Sequence, residues 1–511
     1  MNQDNTSKTA GQQRIGRLIL VTREGRGLTQ KELAKKLGTT QSAIARMERG
    51  QQNMSTEMLG KISKILGRNI VSLGGQHLNF RIEGGRELNG TITTNSSKNS
   101  AVALLCASIL NRKKTTLRMV PKVEDVYSII KIIKSIGVKV NWINGADVVI
   151  NPPSRLRPEG IDRESTLKTR STLLLIGALL SRVEDFSIPH SGGCRLGART
   201  VRPHLFALER LGVKIASAHD SYHITATKKK ATEIILYESS DTATENAIMT
   251  ASTIDGQTTI KYASANYMVQ ELCRFLSLLG IEFSGLGTTT LTVRGKPRLA
   301  KDVEYSIGED PIESMLFLSI AAMTRSALLI KRCPIDFLEV ELLKLEKMGF
   351  RYKKTPRYKS ANGLLDLVDI QTFPSKLRAL EEKIHPNPYP GLNIDNLPFF
   401  VPLATQASGT TLIHDWVYEE RALHYLELNK LGARLRLADP HRIFIEGPTE
   451  LRPAEVICPP ALRPAAIVLI AMLAARGESI LRNVYSISRG YENLCERLQG
   501  LGAKIETVPD F

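Results

Sequence analysis

From residue 80 onward, the apolar positions follow a pattern that occurs six times. Each repeat opens with a segment of helical length that is apolar on nearly every side, as expected for a helix buried all round. These segments are Asn99–Leu110, Ser171–Ser181, Glu245–Ile254, Ile312–Thr324, Leu397–Gln406 and Ala465–Ala475. A short alternating segment typical of a strand follows, as in Thr115–Met119 and Thr258–Tyr262.

A second helix in each repeat ends at a glycine that follows an apolar residue. Glycine is favoured just beyond a helix C-terminus because it adopts left-handed backbone angles without strain. The six glycines are Gly137, Gly212, Gly280, Gly349, Gly432 and Gly502. Alternating residues follow each of them, so every unit is predicted to contain a buried helix, a strand, an outer helix and a hairpin. We expect two globules of three units, with a cleft between them.

The N-terminal residues 12–73 have a different pattern, that of short helices. Thr29 is predicted to cap the helix Gln30–Leu37, with Glu32 completing a capping box. Gly38 ends that helix, and a second helix is predicted from Gln41 to Arg49. Further helices are predicted over Arg14–Arg23 and Thr56–Leu66. A helix, a short turn with glycine and a second helix form the helix-turn-helix pattern.

The remaining N-terminal segments and the overall length complete the division of the chain. Residues 1–11 are predicted to be a disordered tail and residues 74–79 a linker, which leaves residues 80–511 for the six units. With 511 residues, the chain is too long for one hydrophobic core. We expect one lobe to contain residues 80–96 together with roughly 310–511, and the central units to form the other lobe.

Positive charge is concentrated at the N-terminus. The net charge is +18, and residues 1–75 contain 13 Lys or Arg against 5 Asp or Glu. Such a concentration favours a polyanionic partner. The segment from Thr29 to Gln52 closely resembles the Cro/C1-type repressor family, which implies binding to double-stranded DNA. The resemblance assigns DNA contacts to Thr40, Gln41, Ser42 and Arg46. A helical bundle used for protein contacts is the alternative, and a homodimer is a further expectation.

The cysteines and the apolar runs indicate in which cellular compartment the protein is expected. The six cysteines contain no Cys-x-x-Cys pair, which argues against a disulfide framework and against a zinc site and favours a reducing, cytoplasmic setting. The polar start at residues 1–13 is unlike a signal peptide. No apolar run is long enough to span a bilayer, so we expect no membrane partner.

One loop combines glycines, arginines and a cysteine. The segment from Ser191 to Arg199 reads SGGCRLGAR and places Cys194 close to Arg195 and Arg199. A thiol near fixed positive charge loses its proton more readily than a free cysteine, and it then serves as a nucleophile or as an acid. The alternative is a surface loop with an incidental cysteine.

Residues 80–508 resemble the UDP-N-acetylglucosamine enolpyruvyl (1-carboxyvinyl) transferase family. The resemblance rests on SSKNSAVALL, TRSTLLLIGALL, SGGCRLGART, PGLNIDNLP, VYEERALH, ALRPAA and SRGYENL, which occur in the family's order. It implies an α/β fold, the two-domain inside-out α/β barrel of six repeated units. It also implies the first committed step of peptidoglycan synthesis, and hence a part in cell-wall biogenesis, cell shape and cell division, with no metal or organic cofactor.

The resemblance assigns roles to residues along the whole chain. Phosphoenolpyruvate has a phosphate and a carboxylate, and arginine binds both kinds of group in a bidentate manner. The cations assigned to it are Lys98, Arg199, Arg463 and Arg489. By resemblance Cys194 is the acid, which also forms a covalent adduct with phosphoenolpyruvate, and Asp395 is the base. The residues assigned to the sugar nucleotide are Asn99, Arg170, Arg199, Val417 and Arg421. Asp125 falls on a family position near the cleft.

The chain departs from the family mainly where the nucleotide is expected. The departures are Arg202 in place of an acid, the acid Asp241 in a stretch that is basic and glycine-rich in the family, Pro311 in place of arginine, and Ala461 and Ser488 in place of acids. Two functions therefore stay open. One is transfer of the enolpyruvyl group to the 3-hydroxyl of UDP-N-acetylglucosamine. The other is that of a catalytically weak or inactive homologue, which senses a UDP-sugar and acts as a DNA-binding regulator. The shikimate-pathway relatives of the same fold fit less well because they do not use a loop cysteine.

Overall fold

The computed structural model describes residues 28–52, 78–192, 200–226 and 228–509, together with Gly16, Ile19, Leu20, Arg23, Met54, Met58, Leu59, Lys61, Ile62, Ile65 and Leu196. The chain divides into two compact units. One contains residues 1–77 and 509–511, and the other contains residues 78–508.

The N-terminal unit contains two described helices, Gln30–Leu37 and Gln41–Glu48. The Thr29 hydroxyl accepts from the backbone amide of Glu32, and the Glu32 carboxylate accepts from the amide of Thr29, which confirms the predicted capping box. Gly38 ends the first helix with a left-handed φ of 67°. The predicted helices at residues 14–23 and 56–66 lie largely outside the described residues.

A small apolar core and one buried ion pair hold these helices. The described core side chains are Ile19, Leu33, Ala34, Ala43, Ile44, Met47, Leu59 and Ile62. Glu48 is buried next to this core and accepts hydrogen bonds from Arg23 and Gln30. Because an unpaired buried charge is costly, this pairing explains how an acidic residue is tolerated on the inner face of the second helix.

The second unit consists of six small sheets that cover apolar helices. Its strands are Asn79–Gly84, Asn89–Thr93, Thr115–Arg118, Lys139–Ile143, Asp147–Asn151, Asp185–Pro189, Lys214–Ser217, Ser221–Thr225, Glu233–Ile235, Gly256–Lys261, Glu282–Ser284, Thr290–Gly295, Val303–Ser306, Ala327–Pro334, Arg351–Lys354, Tyr358–Lys359, Asp366–Phe373, Gly409–His414, Arg434–Leu437, Arg442–Gly447, Glu455–Ile457, Gly477–Arg482 and Lys504–Val508.

Its α-helices are Lys98–Ala107, Glu124–Ser135, Arg163–Thr166, Leu174–Leu179, Arg202–Glu209, Asp241–Ala251, Tyr267–Leu278, Pro311–Met323, Glu339–Lys347, Phe400–Gln406, Leu462–Ala474, Tyr485–Ser488 and Leu494–Gln499. The 3-10 helices are Ser108–Leu110, Pro158–Gly160, Arg170–Leu173, Ile335–Phe337, Leu397–Phe399 and Ala422–Leu431. None of the helices that the structure describes combines the length and the apolar character needed to cross a bilayer.

Strand pairing divides this unit into two lobes. The strand Asn79–Gly84 lies antiparallel between Gly477–Arg482 and Lys504–Val508, and Asn89–Thr93 runs parallel to Ala327–Pro334. The beginning of the unit therefore belongs to the lobe that contains its C-terminal half. In the central segment, Val303–Ser306 returns to pair in parallel with Thr115–Arg118. The chain crosses between the lobes twice.

The six apolar segments form buried helices, as predicted. In the central lobe they are Lys98–Ala107, Leu174–Leu179 and Asp241–Ala251, and in the other lobe Pro311–Met323, Phe400–Gln406 and Leu462–Ala474. Two of them begin as a 3-10 turn, at Arg170–Leu173 and Leu397–Phe399. The predicted outer helix before Gly432 is a 3-10 helix over its whole length, Ala422–Leu431.

The six glycines that end the outer helices all have a left-handed backbone. Their φ angles are 97°, 90°, 93°, 91°, 86° and 89°, in chain order from Gly137 to Gly502. A side chain at such an angle is strained, which explains why glycine marks the end of each outer helix.

A buried asparagine joins three helices of the central lobe. Asn246 accepts a hydrogen bond from the amide of Gly177 at 2.8 Å, donates to the carbonyl of Leu173 at 3.0 Å, and lies 2.8 Å from His204 Nδ1. A methyl group at Gly177 would lie 2.7 Å from the Asn246 carbonyl oxygen, so the helices are in backbone contact there. This network fixes the relative positions of the 3-10 turn that begins at Arg170 and the helix that begins at Asp241.

We predict that Asn246→Ala lowers the free energy of unfolding of residues 78–508 by roughly 2–4 kcal/mol, because it leaves a buried donor and a buried acceptor unpaired. Both tryptophans, Trp142 and Trp416, lie in this unit, so urea denaturation followed by tryptophan fluorescence reports on it. The control is Thr253→Ala, which removes one partly exposed hydroxyl bond. Equal shifts for the two variants would contradict the prediction.

Candidate active site

The predicted site residues meet in a cavity of about 200 Å³ between the two lobes. The central lobe contributes residues from the starts of its helices, and the other lobe contributes residues from loops and helix ends. Eight of the predicted residues line it: Lys98, Asn99, Asp125, Arg170, Asp395, Arg421, Arg463 and Arg489. They are up to 391 positions apart in the sequence, and the fold brings them into one small volume.

A first carboxylate, Asp125, holds two of the cations. Its Oδ2 lies 3.0 Å from Lys98 Nζ, and its Oδ1 accepts from Arg489 Nε at 3.0 Å. Asp125 and Arg489 are buried, and Lys98 is 15% exposed along its side chain. Asp125 belongs to the central lobe and Arg489 to the other lobe, so this ion pair also joins the lobes across the cleft.

A second carboxylate, Asp395, lies among the remaining cations. Its Oδ2 accepts from Arg463 Nη2 at 3.1 Å, and its Oδ1 is 4.0 Å from Arg421 Nη1. Burial alone would raise the pKa of Asp395, but the charges of Arg463, Arg421 and Lys98 outweigh it and lower that pKa below its usual value. Asp395 is therefore ionised near neutral pH and is able to accept a proton.

Arg463 is fixed on both sides of its guanidinium group. Nη1 donates to the Tyr491 hydroxyl at 2.7 Å, while Nη2 donates to Asp395. Arg463 and Tyr491 are buried. Ala461, where the family has an acid, also lines the cavity. The partners of Arg463 are thus Asp395 and Tyr491, and neither contact needs a carboxylate at position 461.

Arg421 has a structural role that the sequence did not indicate. It is 1% exposed, and its Nε and Nη2 donate to the two carboxylate oxygens of Asp415 at 2.6 and 2.9 Å. The Tyr425 hydroxyl donates to the same carboxylate at 2.6 Å. Asp415 immediately follows the strand Gly409–His414 and precedes Arg421 by six residues, and this spacing is the signal that could have identified the pair.

The other described residues predicted to bind the sugar nucleotide line this cavity or an adjoining one. Arg170 Nη2 donates to the carbonyl of Thr200 at 2.9 Å, and Asn99 Nδ2 donates to the buried hydroxyl of Tyr267 at 3.2 Å. Val417 is 39% exposed and lines an adjoining cavity of about 460 Å³ that shares Arg170 with the first.

Two predicted residues, Cys194 and Arg199, lie outside the described residues. The described neighbours of that segment touch the cleft: Leu196 lines the cavity, and its carbonyl accepts from the amide of Glu420 at 3.4 Å. Position 192 accommodates only glycine, because a Cβ atom there would lie 1.8 Å from the carbonyl oxygen of Leu167.

The five other cysteines are buried. Burial raises the pKa of Cys333 and Cys458 to about 12 and raises the pKa of Cys106, Cys273 and Cys495 as well. A buried thiol with a raised pKa is a poor nucleophile. These five described cysteines are therefore unsuited to nucleophilic chemistry, and Cys194 stays the predicted acid.

The remaining departures from the family pattern have identifiable surroundings. Asp241 opens the helix Asp241–Ala251 and accepts from Ser264 and Asn266, whereas Pro311 opens the helix capped by Asp310. Arg202 and Ser488 are exposed. Asp241 lines both cavities, whereas Ala461 lines the first.

The adjoining cavity combines aromatic and acidic side chains. Its aromatic lining includes Phe337, Tyr389, Trp416 and Tyr418, and its described acids are Glu238, Asp241, Asp336, Glu339, Glu341 and Glu419. Within the described part of its lining, Arg170 is the one lysine or arginine. Aromatic faces suit stacking against a flat ring, and Arg170 supplies the positive charge in the described lining.

Comparison with known proteins gives one family for residues 78–508 and one for the N-terminus. The family model described as EPSP synthase (3-phosphoshikimate 1-carboxyvinyltransferase) matches residues 82–498, and a helix-turn-helix model matches residues 22–73. The UDP-N-acetylglucosamine 1-carboxyvinyltransferase of Bradyrhizobium diazoefficiens is 34% identical over 85% of this chain and 99% of its own length. That of Treponema denticola is 35% identical over 84% and 98%.

Solved structures give the same fold. The enolpyruvyl transferase NikO from Streptomyces tendae matches with a TM-score of 0.72 at 23% identity and covers 85% of this chain and 100% of its own. EPSP synthase from Acinetobacter baumannii matches with a TM-score of 0.65 at 17% identity, over 84% and 100%. These likenesses confirm the predicted inside-out α/β fold.

We predict that Arg421→Met destabilises residues 78–508 by roughly 3–5 kcal/mol, because it leaves the buried carboxylate of Asp415 without its counter-charge. The measurement is urea denaturation followed by tryptophan fluorescence. Arg436→Met is the matched control, since Arg436 is exposed and lies over the Phe444 ring. A loss below about 1 kcal/mol for Arg421→Met, as expected for a surface pair, would contradict the structural role.

Proposed function

The chain belongs to the enolpyruvyl (carboxyvinyl) transferase family, and on this premise we propose that it transfers the enolpyruvyl group of phosphoenolpyruvate to the 3-hydroxyl of UDP-N-acetylglucosamine. Phosphate is the second product, and the reaction is the first committed step of peptidoglycan synthesis. The observation that carries the proposal is the convergence of Lys98, Arg463 and Arg489 on one cavity that also contains the ionised Asp395.

Binding of phosphoenolpyruvate follows from the charge of this cavity. Its phosphate and carboxylate need several cations within a small volume, and Lys98, Arg463 and Arg489 supply them. Two of these cations are held by Asp125 and the third by Asp395, so they are in place before substrate arrives. Pre-positioned charges stabilise developing charge without reorganisation during the reaction.

Proton transfer is assigned to one thiol and one carboxylate. Asp395 takes the proton of the sugar hydroxyl while the hydroxyl oxygen adds to the enol carbon of phosphoenolpyruvate. Cys194 donates a proton to the methylene carbon. The Cys194 thiolate then takes back a methyl proton as phosphate leaves, which restores the double bond in the enol ether. Burial and raised pKa values make the five other cysteines unsuitable for this role.

We place the sugar near Asn99 and the nucleotide in the adjoining cavity, with its base against aromatic side chains such as Trp416 and Tyr418. Arg170, Arg199 and Val417 then contact the nucleotide. The acidic lining of that cavity supports strict selection among nucleotide sugars, because a misplaced diphosphate would be repelled.

We predict that the protein releases phosphate from phosphoenolpyruvate when UDP-N-acetylglucosamine is present, and that Cys194→Ala and Asp395→Asn each lower kcat by at least about 100-fold, the usual contribution of an acid or a base. A continuous phosphate-release assay measures both. Alkylation with fosfomycin is expected to stop turnover of the wild type.

Cys495→Ala is the matched control, because Cys495 is a buried cysteine that does not line the cavity, and it is expected to keep the wild-type rate. Full activity of Cys194→Ala would contradict the assigned acid. Tight binding of the UDP-sugar without any phosphate release by the wild type would instead support the alternative, a DNA-binding regulator that senses a UDP-sugar.

For the N-terminal unit we propose binding to double-stranded DNA. Gln41, Ser42 and Arg46 are exposed on the second helix of the helix-turn-helix, while Ala43, Ile44 and Met47 on its other side are buried. Thr40 caps this helix, and its hydroxyl accepts from the amide of Ala43 at 3.2 Å. An exposed polar face that begins at a helix N-terminus suits insertion into the major groove.

We predict that Arg46→Ala weakens binding to a mixed-sequence 30-base-pair duplex about tenfold, within the range of one lost arginine contact. Fluorescence anisotropy at two salt concentrations measures it, and the affinity of the wild type is expected to fall steeply with salt. Lys139→Ala, the same charge change on an exposed strand position of the other unit, is the control. Equal losses for the two variants would contradict a specific role for the second helix.

A further inference from the structure

One acid in the cleft lacks the partners that the others have. Glu245 lies on the second turn of the helix Asp241–Ala251, lines the same cavity as Lys98 and Asp395, and is 2% exposed. Within the described part of the chain, its Oε1 is shielded from solvent and has no hydrogen-bond partner. A buried polar group without a partner costs stability, so its presence calls for an explanation.

The neighbouring acids show how unusual this is. Asp125 and Asp395 pair with cations, and Asp241 accepts from Ser264 and Asn266. Glu341, another buried glutamate, accepts from the amide of Asn393 and from Asn396. Glu245 faces the substrate cavity without such contacts, so hydrogen-bonding capacity is left for a ligand.

The surroundings of Glu245 favour a neutral carboxyl group. Burial, and then the negative charge of Asp241 one turn earlier, raise the pKa of Glu245 well above its usual value. Among the described residues, the thiols of Cys106 and Cys273 interact with Glu245 from adjacent helices, and both have raised pKa values. The charged groups that line the same cavity are Lys98, Asp125, Arg170, Asp241, Asp395, Arg421, Arg463 and Arg489. His204, on a third packed helix, is engaged by Thr242 and Asn246. The raised pKa favours the protonated carboxyl group, which is able to donate a hydrogen bond.

We propose that Glu245 binds the acceptor substrate, with its neutral carboxyl group donating a hydrogen bond to an uncharged oxygen of the sugar. This inference rests on the proposed transferase function. The phosphate and carboxylate of phosphoenolpyruvate are already assigned to Lys98, Arg463 and Arg489, so Glu245 is not needed to bind them. The cavity that Glu245 lines also contains the apolar side chains Val102, Leu173, Leu174 and Met268, which suit the uncharged part of a sugar.

The test compares Glu245→Leu with Glu245→Gln, since the amide of glutamine is neutral at every pH and still donates a hydrogen bond. For Glu245→Leu we expect the KM for UDP-N-acetylglucosamine to rise at least tenfold, with the KM for phosphoenolpyruvate unchanged within about threefold. Glu245→Gln is expected to stay within about threefold of the wild type for both substrates.

Two further readouts separate this role from a structural one. The thermal midpoint of the substrate-free Glu245→Leu variant is expected to be equal to or above that of the wild type, because an unpaired buried polar group has been removed. The affinity of the wild type for the sugar is expected to fall as pH rises through the pKa of Glu245, because only the protonated form donates. Glu245→Gln is expected to lack this pH dependence.

Several results would overturn the proposal. They are an unchanged sugar KM in Glu245→Leu, a thermal midpoint that falls together with both KM values, or the same pH dependence in Glu245→Gln as in the wild type. If the wild type binds the sugar without releasing phosphate, the proposed reaction fails, and calorimetric Kd values for the same three proteins decide the role of Glu245. If the wild type does not bind the sugar, both proposals fail.

Discussion

The ion pair between Asp125 and Arg489 is the contact on which the cleft depends. Charges in a buried cavity are costly unless each has a partner, and this cavity contains several cations. Asp125 resolves this conflict by holding Lys98 from its own lobe and Arg489 from the other. Asp395 does the same for Arg463. Each carboxylate thus fixes cations in position, as the proposed binding of phosphoenolpyruvate requires.

The architecture explains how these groups meet. Six units of similar pattern form two lobes, and the chain crosses between them twice, so residues near both ends of the second unit face the same gap. Lys98 begins a buried helix of the central lobe, whereas Arg463 lies at the start of the equivalent helix in the other lobe. Helix N-termini favour negative charge, so both helices support an anion in the cleft. A repeated fold therefore produces a site with contributions from both lobes.

Much of this arrangement could be predicted from the sequence, because its signals are local. The left-handed glycines and the buried helices follow from short patterns, and the positions of Lys98, Asp395, Arg463 and Arg489 followed from motifs shared with the enolpyruvyl transferases. The ion-pair partners could not be predicted in this way. Asp125 and Arg489 are separated by 364 positions, and only the packing of the two lobes brings them together. The Asp415–Arg421 pair is only six residues apart, so its spacing was a usable local signal, whereas the unpartnered state of Glu245 depends on burial that no local pattern specifies.

The most direct test of this account is a calorimetric titration of phosphoenolpyruvate into the full-length protein and into Arg463→Gln, Arg489→Gln and Arg436→Gln. We expect saturable binding of one phosphoenolpyruvate per chain, weakened at least about tenfold by Arg463→Gln and by Arg489→Gln, since each removes a charged hydrogen-bond donor. Arg436→Gln, at an exposed strand position, is expected to bind as the wild type does. Equal affinity for all four proteins would contradict the claim that the paired cations of the cleft form the donor site.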